Sequence, residues 1–318
     1  MLTVGTATAA PGEIAIGELD VGEHRDGSPV VLPVAVINGA NAGERLYVQA
    51  ASDGDEVNGV GVVSQLVPAV DPTALTGELV VVGVVNPFGF HAGEHRNPLD
   101  DTKINRTYPG DPDGSSSERI AAATYAQAKK ADYVLDLHQG STSRMIEECR
   151  VRCGTGHTLH GACLELAKVF DCGYVYDQKG PEGQLARVGP DEGIPTIDPE
   201  LGGSVGWHQQ SIDVGLRGVN RVLGYYGFLD EDVTLAAQTR ARSFVQYGAP
   251  AGGLVTFVAA LGDRVDAGDP LFRIHTVFGR ERAVVTTDES GILWRTRRLP
   301  QVASGEYVCT IGTKVDEY

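Results

Sequence analysis

The residues best able to do chemistry lie in two short clusters far apart in the chain, Asp53-Gly-Asp-Glu56 and Asp136-Leu-His138-Gln-Gly140. Two carboxylates and one imidazole can hold a divalent metal and leave a coordination position open to water, the arrangement of a hydrolytic site. Metallohydrolases often place His-x-x-Glu at such a point; here the first residue is Asp53. Each cluster is weak alone. A Gly-rich acidic turn is more often a solvated loop, and a histidine after a strand is often a hydrogen-bonded core residue. Their shared topological position carries the argument, with Asp53, Glu56 and His138 as candidate ligands.

Further polar groups accompany them. Asn86-Pro-Phe-Gly-Phe90 ends an apolar run and leads into Arg96-x-Pro98-x-Asp100 and Asn105-Arg106-x-x-Pro109-Gly110. The bland reading is an ordered loop with an Arg–Asp pair. The chemical reading is a pocket for an anionic substrate, because Arg gives two-point recognition of a carboxylate and Asn adds a donor beside it. Glu200 lies in Thr196-Ile-Asp-Pro-Glu-Leu-Gly-Gly203. A carboxylate ending a strand and followed by two glycines suits a general base. Asp198 competes for that role, and Pro199 interrupts the strand between them.

The elements that must position these groups follow from periodicity. Residues 30–37, 45–51 and 79–85 are short apolar runs bounded by Gly, Pro, Asn or Asp, and read as strands. A helix is expected over 56–66, directly after the second run. Ser115-x-x-Glu118 is a capping box opening a helix to about Lys130. Residues 133–137 form the next strand, with His138 at its C-terminal end, and 158–170 the next helix. Ile212, Leu216, Val219, Leu223 and Tyr226 recur at spacings of four and three, an amphipathic helix. Strands alternating with helices predict an α/β fold, a mostly parallel or mixed sheet with helices on both faces. Ligands bind such sheets at the C-terminal strand ends, where Asp53, Glu56 and His138 all fall.

From Ala249 onward helical periodicity stops and short β-rich runs alternate with Gly turns. This predicts a catalytic domain over 1–246 and a small all-β barrel-sandwich domain over 247–318. Val265-x-x-Gly268-Asp-Pro-Leu resembles a turn of biotinyl/lipoyl-like sandwiches, but no Lys stands at a hairpin tip to carry a swinging arm. The net charge of −16 argues against nucleic-acid and anionic-membrane partners. Lys is confined to positions 103, 129, 130, 168, 179 and 314, which fits either a high-salt cytosol or an Arg-biased genome. No run is long enough to span a membrane and the first fifteen residues do not read as a signal peptide, so a cytoplasmic location is expected. The five Cys form no CxxC pair and read as buried thiols in a reducing compartment.

In order, these motifs resemble the succinylglutamate desuccinylase/aspartoacylase family of the zinc carboxypeptidase-like clan, over roughly residues 30–310. The resemblance rests on Gly54-Asp-Glu56-Val-Asn-Gly59, Asn86-Pro-x-Gly89, Arg96-x-x-x-Asp100, Asn105-Arg106-x-x-Pro-Gly110, Asp136-x-His138-x-Gly140 and Glu200-Leu-Gly-Gly203. Six motifs in the family's order are specific where each alone is not. The resemblance implies a zinc-dependent amidohydrolase that removes the acyl group of an N-acyl amino acid. It makes Glu56 and His138 metal ligands, with Asp53 where the family has histidine. It makes Glu200 the general base, has Arg96 polarise the scissile carbonyl, and has Asn105 and Arg106 grip the substrate carboxylate, with Arg187 a further contact. The β domain would border the mouth of the site. Asp53 makes the site richer in oxygen, which admits Mn²⁺ or another divalent metal in place of Zn²⁺. The alternatives are a carboxypeptidase-like peptidase and a degenerate homologue that binds a small carboxylate without turnover. The acyl group, the amino acid and the oligomeric state, a homo-oligomer included, are left open.

Overall fold

The computed structural model describes residues 1–318. β1 (Leu2–Val4) and β2 (Ala7–Ala9) form a small antiparallel pair. β3 (Glu13–Glu23), β4 (Pro29–Asn38) and β5 (Asn41–Ala50) follow, then α1 (Asn58–Ala69), β6 (Thr76–Val82) and α2 (Pro87–Ala92). A 3₁₀ turn over Ile104–Arg106 precedes α3 (Ser116–Ala128) and β7 (Tyr133–Leu137). Next come β8 (Ser143–Met145), β9 (Glu148–Val151), α4 (His160–Phe170), β10 (Tyr174–Asp177), α5 (Leu185–Val188), β11 (Thr196–Glu200) and α6 (Gln209–Tyr225).

The sheet has thirteen strands, and its centre runs β6-β5-β7-β11 with every pairing parallel. Leu46–Ala50 of β5 is buried on both faces, as a central strand covered on both sides must be. On one face α1, α4 and α6 pack Leu66, Phe170, Ile212 and Val219 into the larger core. On the other, α3 brings Ile120, Ala121 and Tyr125 against Tyr47 and Val134. The fold class expected from alternation is the one observed. α3 opens with the reciprocal Ser115–Glu118 capping box. The helix expected from residue 56 begins instead at Asn58, whose N–H donates to Gln139 Oε1 at 2.7 Å. Glu56 thus stays in the turn, free of the helix.

Eight further strands complete the chain: β12 (Thr239–Gly248), β13 (Gly253–Phe257), β14 (Arg264–Val265), β15 (Pro270–His275), β16 (Glu281–Thr286), β17 (Gly291–Arg297), β18 (Gln301–Val302) and β19 (Tyr307–Glu317). β13, β15, β16 and β18 form a separate four-stranded sheet. Leu271, Phe272, Ile274, Leu293, Val308 and Ile311 build the core of this region. β12 runs parallel to β10 and antiparallel to β19, so the large sheet continues into the C-terminal third. Residue 247, the expected boundary, falls inside β12. β8 pairs with β17, which ties the C-terminal region to the segment just after His138. No helix is long and apolar enough to cross a membrane. All five Cys are free, four of them buried, and Cys149 Sγ lies 3.5 Å from Cys172 Sγ.

Candidate functional site

Three parallel strands end at one place. β5 leads into Asp53 and Glu56, β7 into His138, and β11 closes on Glu200. The β7–β11 pairing extends one step beyond the strands: His138 N–H donates to Pro199 O and Leu201 N–H to His138 O, both at 2.8 Å. Asp53, Glu56, His138 and Glu200 are all at least 95 % buried.

The acidic turn is shaped by close backbone approach. Gly54 lies against Gly89 so tightly that a Cβ there would come within 2.2 Å of the Gly89 carbonyl carbon. Gly54 N–H also donates to His95 O at 3.2 Å. This contact brings a second imidazole to the site. His95 Nδ1 is 2.9 Å from Asp55 Oδ1 and 3.8 Å from Glu56 Oε1, and its Nε2 is 3.6 Å from Asp53 Oδ1. Ligand atoms of Asp53, Glu56 and His95 all lie within 4.8 Å of one another.

His138 faces the same carboxylates from the β7 side. Its Nδ1 is 2.8 Å from Glu56 Oε2 and 3.5 Å from Asp53 Oδ2. Its Nε2 faces Asp136 Oδ2 at 3.1 Å and Asn105 Nδ2 at 2.8 Å. Asp136 is itself held by Gln49 Nε2 at 2.9 Å. A carboxylate behind the second ring nitrogen is the usual support of a metal-binding histidine. Burial opposes a charge on His138, but Asp136 and Asp198 outweigh it and hold the imidazolium well above its ordinary range.

The donors fit a divalent cation. Asp53 Oδ1 is buried without a hydrogen-bond partner. Burial and the neighbouring Asp53 charge raise the Glu56 carboxyl, the sign of two anions crowded where a cation would relieve them. Two carboxylates with an imidazole from His138 or His95 match the nitrogen and oxygen donors of zinc or a harder divalent metal. Lys103 shares the cluster: its Nζ is 3.0 Å from Asp53 Oδ2 and 2.8 Å from His95 Nε2.

The other expected residues divide. Asn105 is in contact with His138, as above, and its Oδ1 accepts from Leu185 N–H at 3.1 Å. Arg106 keeps contact with solvent, and its charge lies near Asp53, Asp198, Arg150 and Glu200. Glu200 pairs through Oε1 with Arg150, leaving Oε2 buried and unpartnered; Asp198 Oδ1 is unpartnered too. Arg187 sits on α5 and donates to Gly180 O at 2.7 Å. Arg96 requires a correction. It turns outward, 56 % exposed, and donates to Asp101 O at 2.7 Å, while its neighbour His95 turns in. The bond from Gly54 N–H to His95 O holds the loop so that 95 faces the pocket and 96 does not. Its expected carboxylate partner differs as well: Asp100 accepts from Ser117 N–H at 2.8 Å at the start of α3.

Sequence reasoning also missed Arg150, Asn58 and Gln139. Asn58 Nδ2 donates to Leu201 O and its Oδ1 accepts from His208 N–H. Gln139 N–H donates to Glu56 Oε2 at 3.0 Å, and its side chain reaches Ser204 O and Gly206 O. These amides lock the loops after β5, β7 and β11 together. The signal for Arg150 was Glu148-Cys-Arg-Val-Arg152, charges alternating along a strand with period two.

Known proteins resemble this chain in sequence and in fold. The succinylglutamate desuccinylase/aspartoacylase catalytic domain matches residues 42–226. The chain is 26 % identical over 304 residues to the N-α-acetyl-L-2,4-diaminobutyric acid deacetylase of Halomonas elongata, covering 90 % of this chain and 87 % of that protein. It is similar in fold to a succinylglutamate desuccinylase from Silicibacter sp. TM1040, with a TM-score of 0.85, 23 % identity and coverage of 98 % of this chain and 99 % of that one. It is similar too to the product-bound ectoine utilization protein EutE (DoeB) from Ruegeria pomeroyi, with a TM-score of 0.84, 23 % identity and coverage of 96 % and 98 %.

Proposed function

The chain belongs to the succinylglutamate desuccinylase/aspartoacylase family, and we propose that it is a metal-dependent amidohydrolase that deacylates an N-acyl amino acid or a related small amide. The observation that carries this reading is the convergence of Asp53, Glu56, His138 and Glu200 at the C-terminal ends of β5, β7 and β11. A cation held by Asp53, Glu56 and an imidazole of His138 or His95 would supply a Lewis acid for the scissile carbonyl. Zinc fits the nitrogen donors, and manganese fits the pair of carboxylates.

The chain's own residues do the rest. Glu200 Oε2, buried and without a partner, is free to take a proton from an attacking water and pass it to the leaving amine. Arg150 neutralises the other oxygen and fixes the carboxylate's orientation. Arg106, at the solvent side of the cluster, supplies a planar fork for the substrate's carboxylate. Asn105 both backs His138 and steadies the 3₁₀ turn that carries Arg106. Arg187 is a further candidate for the anionic substrate. The β-rich region from 247 onward forms, in this reading, a second domain at the border of the site. The diaminobutyrate-derived substrate of the Halomonas relative supports placing N-acetyl amino acids first among the candidates.

The test is a panel of N-acetyl, N-succinyl and other N-acyl amino acids, assayed by release of free amine with zinc, manganese and cobalt. Turnover of one class with a metal requirement supports the reading. No amine release from any of them, with metal bound, favours a carboxylate-binding homologue instead.

A further inference from the structure

Lys103 reaches into the acidic cluster that could hold a cation. Its backbone is anchored by Ile104 and Asn105, both at least 98 % buried, at the start of the 3₁₀ turn. Its side chain crosses to the acidic turn. There Nζ donates to Asp53 Oδ2 at 3.0 Å and faces His95 Nε2 at 2.8 Å. Two of the donors that could bind a metal, one carboxylate oxygen and one imidazole nitrogen, are thereby engaged by an ammonium group. An ammonium has three donors and no lone pair, so it cannot join a coordination shell. It can only compete for one.

We infer that Lys103 and a divalent cation are alternative occupants of the Asp53–Glu56 pocket, so that Lys103 sets the metal affinity of the site. This rests on the metal-dependent reading above. The lysine side chain is 22 % exposed, and its flexible four-carbon stem can carry Nζ off Asp53 toward solvent. A metal bound through Asp53 Oδ2 must break the Lys103–Asp53 pair, and one bound through the unpartnered Oδ1 still places a dication beside the ammonium. Both effects weaken binding relative to the same pocket without the lysine. The consequence is an exchangeable rather than a permanently loaded metal.

The experiment measures affinity, not turnover. Apo protein, wild type and the Lys103→Met and Lys103→Gln variants, is titrated with zinc and separately with manganese against a chromophoric chelator. Circular dichroism verifies that each variant is folded. Two variants guard against one of them misfolding. Both are expected to bind about one equivalent at least about tenfold more tightly than wild type, the scale of removing one close charge at a partly buried site. Asp53→Asn in the wild-type and Lys103→Met backgrounds is expected to weaken binding in both. Equal or weaker affinity in the Lys103 variants, with Asp53→Asn still weakening binding, overturns the competition while leaving the metal site intact. Zinc binding indifferent to Asp53→Asn in both backgrounds overturns the metal assignment, and the competition with it.

Discussion

Arg150→Met should destabilise the protein severely, and the structure gives the scale. β9 lies antiparallel to β11, with Arg150 opposite Asp198 and Glu148 opposite Glu200. The guanidinium contacts Glu200 Oε1, lies 2.6 Å from Glu148 Oε1, and packs over the Tyr176 ring at 5.4 Å. Its side chain is only 12 % exposed, and those of Glu148 and Glu200 are 0 % and 6 % exposed. Burial opposes the charge on Arg150, but Glu200 and Glu148 outweigh it and hold the guanidinium protonated beyond its already high value. A unit pair about 4 Å apart gains roughly 4 kcal/mol at an effective dielectric near 20, much of it offset by desolvation. Removing the cation keeps the desolvation of the anions and loses the attraction, which typically costs about 3–5 kcal/mol. A melting point lower by on the order of 10 °C should follow. Urea unfolding followed by circular dichroism measures the loss directly. Arg150→Met/Glu200→Gln should regain roughly 1–2 kcal/mol, because one orphaned anion is then neutral. A single variant within about 1 kcal/mol of wild type, or a double variant no better than the single, would refute the view that Arg150 is the counter-ion of this seam.

Glu200→Gln should fold and bind metal as wild type does but lose about 10²- to 10⁴-fold in turnover; near-normal activity would move the proton transfer to Asp198. Arg106→Lys keeps the charge but not the two-point fork, so KM should rise far more than kcat falls, and equal rates on free and amidated carboxyl substrates would reject the role. Asp316 accepts from Arg240 Nε at 3.0 Å and Nη2 at 2.7 Å, and these bonds hold its carboxyl below the usual range. A lowered folded value stabilises above the unfolded value of about 3.9 and is lost as pH falls through the folded one. The stability gap between wild type and Asp316→Asn should therefore be full at neutral pH and shrink in urea titrations below about pH 4; a constant gap would assign the bond no ionic part.

What the sequence disclosed follows from periodicity and from strand ends. The run at 133–137 coincides with β7, and the capping box at Ser115 opens α3, because both are local signals. Asp53, Glu56, His138 and Glu200 were legible because each ends or follows a strand, and parallel sheets gather such ends. β3 was missed although Glu13–Glu23 alternates, since Gly17 and Gly22 blur the pattern. The continuation of the sheet through β10, β12 and β19 was illegible because it is made by pairings about sixty to eighty residues apart. His95 and Lys103 were illegible for another reason. They lie in an irregular segment between α2 and α3, where no period says which side chain turns inward. Only the apposition of Gly54 and Gly89 and the bond from Gly54 to His95 decide that 95 faces the pocket and 96 does not.

The departure at Asp53 gains a meaning from those two residues. Where the family resemblance implies a neutral imidazole, an aspartate removes one nitrogen donor and adds one negative charge. His95 returns an imidazole to the same cluster from a different element, with its ring 3.6 Å from Asp53 Oδ1. Lys103 returns the charge, 3.0 Å from Asp53 Oδ2. The three residues are thus best understood as one unit. Restoring histidine at 53 alone would leave an ammonium facing an imidazole with no anion between them. Asp53→His should therefore impair metal binding unless Lys103 is replaced as well, and the non-additivity of the two substitutions measures their coupling.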